Sequence, residues 1–290
     1  MAYEGVRIQI ALTNQAVRSA LRGALQAKGF RSISDASTMV AVHDSIEAGH
    51  VDMVIASTKL GFDETPLLIK EMRHQRLGIN PFVMVMLLLE SGDPDVVRDI
   101  VSTGTDDLLV MPVSPGQVVS RLDTMMRGRK KFVITHDYIG PDRRKAERPG
   151  TAKAASMEPP NPLALRSNDI MDENRFRQLI KTGSDSLNRI AIAVQARQLN
   201  WLSAQLLAIG NDPQAQIKSR AGHATQMINT CHEITRRMDT TLAQSHKPPV
   251  AEIEDLCRKI VGEPTDVAAE ALDRIRVLTT FLGNEFKVPV

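Results

Sequence analysis

Few side chains in this sequence are spaced for chemistry. His223 and His232 are nine residues apart, whereas two imidazoles on one helix face share a metal at a separation of four. Cys231 and Cys257 stand singly, without CxxC spacing, so neither a disulfide framework nor a zinc site is expected. Such cysteine usage suits a reduced cytoplasm. The bases Arg127, Arg129, Lys130 and Lys131, followed by Arg143, Arg144, Lys145 and Arg148, could touch phosphates, but Asp137, Asp142 and Glu147 dilute them. The expected role of that stretch is a solvated tether with one docked turn at 138–141. No metal, cofactor or catalytic residue is expected from these patterns, and no enzyme motif is present.

Composition narrows the classes further. A chain of 290 residues with 42% hydrophobic residues suits two domains, each with its own core. Thirty-six Lys and Arg against 34 Asp and Glu give a net charge of +2, far from the balance of a nucleic-acid binder. Aromatics make up 3%, which leaves few stacking platforms for single strands. The N-terminus lacks a basic stretch followed by an apolar core, and the longest apolar run, Phe82 to Leu89, is too short to span a bilayer. A cytoplasmic chain without membrane attachment is expected.

The elements that must position any site fall into two halves. RIQIAL (7–12), DMVIA (52–56), FVMVMLLL (82–89) and DLLV (107–110) read as strands, with a weaker one near Phe30 to Ile33. Gln15 to Lys28, Met39 to Ala48, Glu64 to Arg76, Pro94 to Thr103 and Pro115 to Met126 read as helices. The alternation predicts an α/β fold, a doubly wound parallel sheet of five strands over residues 1–130. FVMVMLLL is apolar on both faces, as a central strand covered on both sides must be. Residues 131–169 hold Gly, Pro, Ser and clustered bases with little periodicity, the composition of a linker.

Residues 170–290 are helical in pattern and predict an all-α bundle. Leu187, Ile190, Val194 and Trp201 mark a stripe on a first helix ending near Gly210. A second stripe, Ile217, Ala221, Ala224, Ile228, Cys231, Thr235, Met238 and Leu242, repeats at coiled-coil spacing and suggests a homodimer. ProPro at 248–249 is expected to break that helix, and Thr265 to cap the last one.

GTDDLLVMP (104–112), DMVIASTKLGFD (52–63) and RIQIALTNQAVRSALRGAL (7–25) resemble, in order and spacing, the receiver domain of bacterial response regulators. The resemblance implies the CheY-like strand order 2-1-3-4-5. It also implies a chemistry in which a phosphoryl group passes to an Asp beside Mg²⁺ held by carboxylates. The family's acidic pair falls on Leu12 and Thr13, and its phosphoacceptor on Ser57. The Thr or Ser after the fourth strand falls within Met86 to Leu89, taken as Leu88. The Lys falls on Met111, next to Pro112, where the family uses a cis bond, and the aromatic switch residue falls on Leu108. A Ser hydroxyl forms no acyl phosphate, and an apolar site holds no Mg²⁺. Asp63 is the one nearby acidic candidate for a shifted alignment. The resemblance therefore implies a pseudo-receiver working through protein partners in signal transduction.

CysHisGluIleThrArgArgMet (231–238) is faintly similar to the phosphorylated box of histidine kinases. The Pro that usually follows is absent, and no glycine-rich ATP-binding segment lies downstream. His232 as the phosphohistidine or dimerisation centre of a phosphorelay is the alternative function. An unremarkable, half-exposed polar helix residue is the expected one.

Overall fold

The computed structural model describes residues 3–61, 64–144, 154–167, 171–209, 213–265 and 267–287. They form two compact units, Met1–Asp185 and Ser186–Val290. In the first, strands β1 (Arg7–Ala11), β2 (Ser32–Ala36), β3 (Met53–Ser57), β4 (Met84–Leu89) and β5 (Asp107–Val110) form a parallel sheet in the order β2-β1-β3-β4-β5. Helices α1 (Gln15–Lys28), α2 (Met39–Glu47), α3 (Glu64–Arg73), α4 (Pro94–Val101) and α5 (Pro115–Arg127) connect and cover it.

Alternation along each strand feeds two cores. Ile8, Ile10, Met53, Ile55, Met84, Met86 and Leu88 pack with Leu21 and Leu25 of α1 and Val118 and Leu122 of α5. Val54, Ala56, Val85, Leu87 and Leu89 pack with Val42, Ile46, Leu68, Ile69 and Ile100 of α2, α3 and α4. Burial of both faces is why the strands read as unbroken apolar runs. Local signals agree with this packing. Asn14 accepts from Val17 N at the start of α1, and Ser114 and Gln117 form a capping box at the start of α5. Gly29 closes α1 at φ 112°, a conformation that favours glycine.

The stretch 131–169 differs from the expected linker. It carries β6 (Phe132–Ile134), β7 (Ile139–Pro141) and β8 (Ala155–Met157), an antiparallel sheet in the order β7-β6-β8, followed by α6 (Pro162–Arg166). Phe132, Val133, Ile134, Ile139, Ala155 and Leu163 are buried. These apolar runs are three residues long and set among prolines and bases, too short to show a period. The bases are also used internally. Arg129 is buried against Asp106 and Phe132, and Arg143 donates to the carbonyls of Thr105 and Asp106. Lys145 and Arg148 lie outside the described residues.

Helix α7 (Glu173–Leu207) starts within the first unit, where Arg166 lies 3.6 Å over the Phe176 ring, and continues into the second. The second unit adds α8 (Pro213–Arg237), α9 (Thr240–Gly262) and α10 (Ala269–Glu285). Its core joins Ile192, Ala196, Leu199, Leu202 and Leu206 of α7 to Ala224, Met227, Cys231 and Ile234 of α8, Val250, Ile253, Cys257 and Ile260 of α9, and Ile275, Leu278 and Leu282 of α10. The inward stripe of α8 is therefore shifted from the expected one, with Ile228 and Thr235 only partly buried. Trp201, expected in the α7 stripe, is exposed.

The helix break also lies earlier than expected. α8 ends at Arg237, Asp239 caps α9 by accepting from Leu242 N at 2.8 Å, and Pro248 and Pro249 lie inside α9. Each proline withholds the N–H that the carbonyl four residues earlier would accept. The burial of Val250, Ile253, Cys257 and Ile260 opposes that loss. Thr265 caps nothing: Ala268 precedes α10 without a side-chain cap bond.

The buried role of residues after Arg127 has a measurable consequence. A chain ending at Asp185 should unfold in one cooperative urea transition, whereas one ending at Gly128, deprived of Arg129 and Phe132, should lose about 3–5 kcal/mol of stability. Equal midpoints for the two chains would show that the added strands do not support the sheet.

Candidate functional site

The C-terminal ends of the parallel strands enclose a small cavity of about 140 Å³, lined by Leu12, Thr13, Asn14, Val17, Ser57, Lys59, Leu88, Glu90 and Met111. The register places it: β3 and β4 pair Ser57 with Leu88, Leu12 directly follows β1, and Met111 follows β5 with its N–H bonded to Leu89 O. Such crevices at strand ends are where parallel α/β sheets bind ligands.

Five of the residues singled out from the sequence meet here: Leu12, Thr13, Ser57, Leu88 and Met111. Two do not line the cavity. Leu108 packs against the core on the α2–α4 side, and Pro112 is exposed, joined to Met111 by a cis peptide bond. Sequence reasoning missed Asn14, Val17, Lys59 and Glu90, which carry no motif of their own. The places of Asn14, Lys59 and Glu90 one to three residues beyond strand ends are the signal that could have found them, whereas Val17 lies in the first turn of α1. Asp63 lies outside the described residues.

The chemistry available is limited. Leu12 and Leu88 are buried and make the floor apolar. Ser57 Oγ accepts from Lys59 N at 3.1 Å and so caps the 3-10 turn Thr58–Leu60. Among the described residues, Glu90 is the one carboxylate lining the cavity, on its exposed rim. Magnesium needs near-octahedral oxygen coordination, usually from more than one carboxylate when substrate phosphate is absent. The residues present do not fit that ion. One other group of metal-capable side chains occurs among the described residues, His43, Asp44 and Glu47 of α2, mostly exposed and not lining the cavity.

In the second unit His232 is 54% exposed, and its Nε2 lies 2.9 Å from Glu254 Oε1 of α9. Arg258 donates to the same oxygen from Nε at 3.1 Å. Partial burial opposes ionisation of Glu254, yet the bonds from Arg258 and His232 hold its carboxyl below the ordinary value. The partner Glu254, 22 residues away, was invisible without the helix pairing. Cys231 and Cys257 are buried and free, and burial pushes the Cys257 thiol up to about 12, which leaves it inert as a nucleophile. No helix among the described residues is long and apolar enough to cross a membrane.

No family model matches the sequence, and no curated protein matches it. Solved structures similar to part of the chain include an orphan response regulator of H. pylori, at 15% identity and TM-score 0.37, covering 42% of this chain and 97% of that one. A response regulator from Thermotoga maritima is similar at 19% identity and TM-score 0.36, covering 41% and 95%. The receiver domain of a sensor histidine kinase from Pseudomonas aeruginosa PAO1, with magnesium coordinated in its active site cleft, is similar at 18% identity and TM-score 0.36, covering 41% and 96%. Identities and scores at this level carry no function across.

Ser57→Ala should lower stability by about 1 kcal/mol, the usual worth of one capping bond, measured by urea unfolding of the full chain. A variant as stable as the parent would mean the hydroxyl is not committed to the turn.

Proposed function

We propose that this chain is a phosphorylation-independent, receiver-like adaptor of bacterial signal transduction that acts through protein partners and performs no catalysis of its own. The observation that carries the proposal is the cavity at the strand ends. In a receiver that place holds a metal and an acceptor Asp; here it presents Leu12, Thr13, Ser57, Leu88 and Met111. An apolar floor, a hydroxyl already used as an acceptor and a single rim carboxylate support the loss of phosphoryl chemistry while the surrounding sheet is retained.

Self-association through the helical unit belongs to the same proposal, with a changed basis. The inward stripe of α8 is consumed by the unit's own core, so a second copy would meet exposed Val277 and Phe281, one turn apart on α10, rather than the Ile217–Leu242 stripe.

The phosphodonor test is direct. The amide spectrum of the full chain should be unchanged by acetyl phosphate or beryllofluoride with Mg²⁺. Specific shifts around Ser57 would overturn the proposal.

The alternative, phosphotransfer at His232, is favoured by that residue's exposure and opposed by its bond to Glu254. Incubation with ³²P-labelled response regulators should leave the chain unlabelled. Acid-labile label that disappears in His232→Ala would move the protein to the phosphotransfer class.

A further inference from the structure

We propose that residues 129–144 and 154–160 form an intramolecular clasp that holds the turn before β5 in one conformation, so that the β5 edge of the sheet is presented constitutively rather than switched. The observations converge on residues 104–106. Asp106 Oδ1 accepts from Arg129 Nε at 2.9 Å and Nη2 at 2.8 Å, while its Oδ2 accepts from Arg73 Nη2 and Val85 N. Arg129 Nη1 also donates to Phe82 O at 2.8 Å and Pro160 O at 2.7 Å. One guanidinium thus binds the turn, the residues leading into β4 and the segment before α6.

Arg143 closes the turn from another side, donating to Thr105 O at 2.7 Å and Asp106 O at 3.2 Å. Between these contacts the backbones touch. Gly104 has φ +93°, and a Cβ there would lie 2.5 Å from Ile139 O. A Cβ on Gly140 would lie 2.6 Å from Gly104 Cα. The turn and β7 therefore fit together only as glycines. A turn fixed through both carboxylate oxygens, two successive carbonyls and a Gly–Gly approach has no second packed arrangement open to it without loss of buried bonds.

This inference deepens the adaptor reading, since a site without phosphoryl chemistry has no use for a switched β5. It is tested without any phosphodonor, so its failure is distinct from failure of that reading. Amide hydrogen exchange of the full chain is measured at 104–110, with β1 as internal reference because no described clasp residue bonds to that strand. In the parent, protection at 104–110 should match β1 within about threefold. In Arg143→Ala, and in Arg129→Lys, which keeps the charge but loses the fork, exchange at 104–110 should rise at least roughly tenfold while β1 is unchanged. Fast exchange at 104–110 in the parent, or unaltered exchange in folded Arg143→Ala, would overturn the clasp. Arg143 lies at the periphery of the cluster and keeps the test valid if Arg129→Lys does not fold.

Discussion

One carboxylate organises the first unit. Asp106 is 4% exposed and lies between two guanidiniums that are equally hidden, Arg73 and Arg129. Two buried cations against one anion would be prohibitive alone, and the excess charge is met by carbonyls: Gly104, Pro81 and Val83 accept from Arg73, and Phe82 and Pro160 from Arg129. Phe132 underlies both, with its ring 5.2 Å from one guanidinium carbon and 4.7 Å from the other. Burial pulls Arg73 down to about 10, with repulsion from Arg129 adding to burial and attraction to Asp106 opposing it. Both guanidiniums stay charged at neutral pH. Removing any member strands the others in an apolar site, so the α4–β5 turn, α3 and the added strands stand or fall together.

The parallel sheet was legible because its signals are redundant. The alternation of short apolar runs with amphipathic stretches recurs along the whole unit, the caps of α1 and α5 lie at the ends it sets, and the two-sided apolar pattern of β4 matches burial on both faces. The added strands were not legible, because they are short and their stability comes from residues distant in sequence: Arg129 contacts Asp106, 23 positions earlier, and Pro160, 31 later. The same limit applies to α9. Pro248 and Pro249 argue for a break in any local reading, and only the packing of Val250 to Ile260 against α8 and α7 explains continuity. For the cavity, the motif alignment named five of the lining residues, while Asn14, Lys59 and Glu90 follow from their places just beyond strand ends and Val17 from the folded α1 alone.

The two ends of the sheet carry opposite arrangements of charge. At the N-terminal ends of the strands, Asp52 and Asp106 are buried and paired with arginines. Asp52 accepts from Arg7 N and Nε and from Arg166, whose Nη1 reaches Glu173 of α7. At the C-terminal ends, where a parallel sheet offers its ligand crevice, the lining is mostly apolar or neutral, with Lys59 and Glu90 exposed at the rim. Buried carboxylates cost several kcal/mol unless compensated, and here each meets one cation from the sheet or its helices, Arg7 for Asp52 and Arg73 for Asp106, and one from a later segment, Arg166 or Arg129. Charge in this unit therefore serves attachment. The buried acidic groups at the N-terminal ends fasten the sheet to Arg129, just before β6, and to Arg166 of α6, which also reaches Glu173 at the start of α7. Among the described residues, the buried ionic contacts of this unit thus lie at the end of the sheet opposite the crevice.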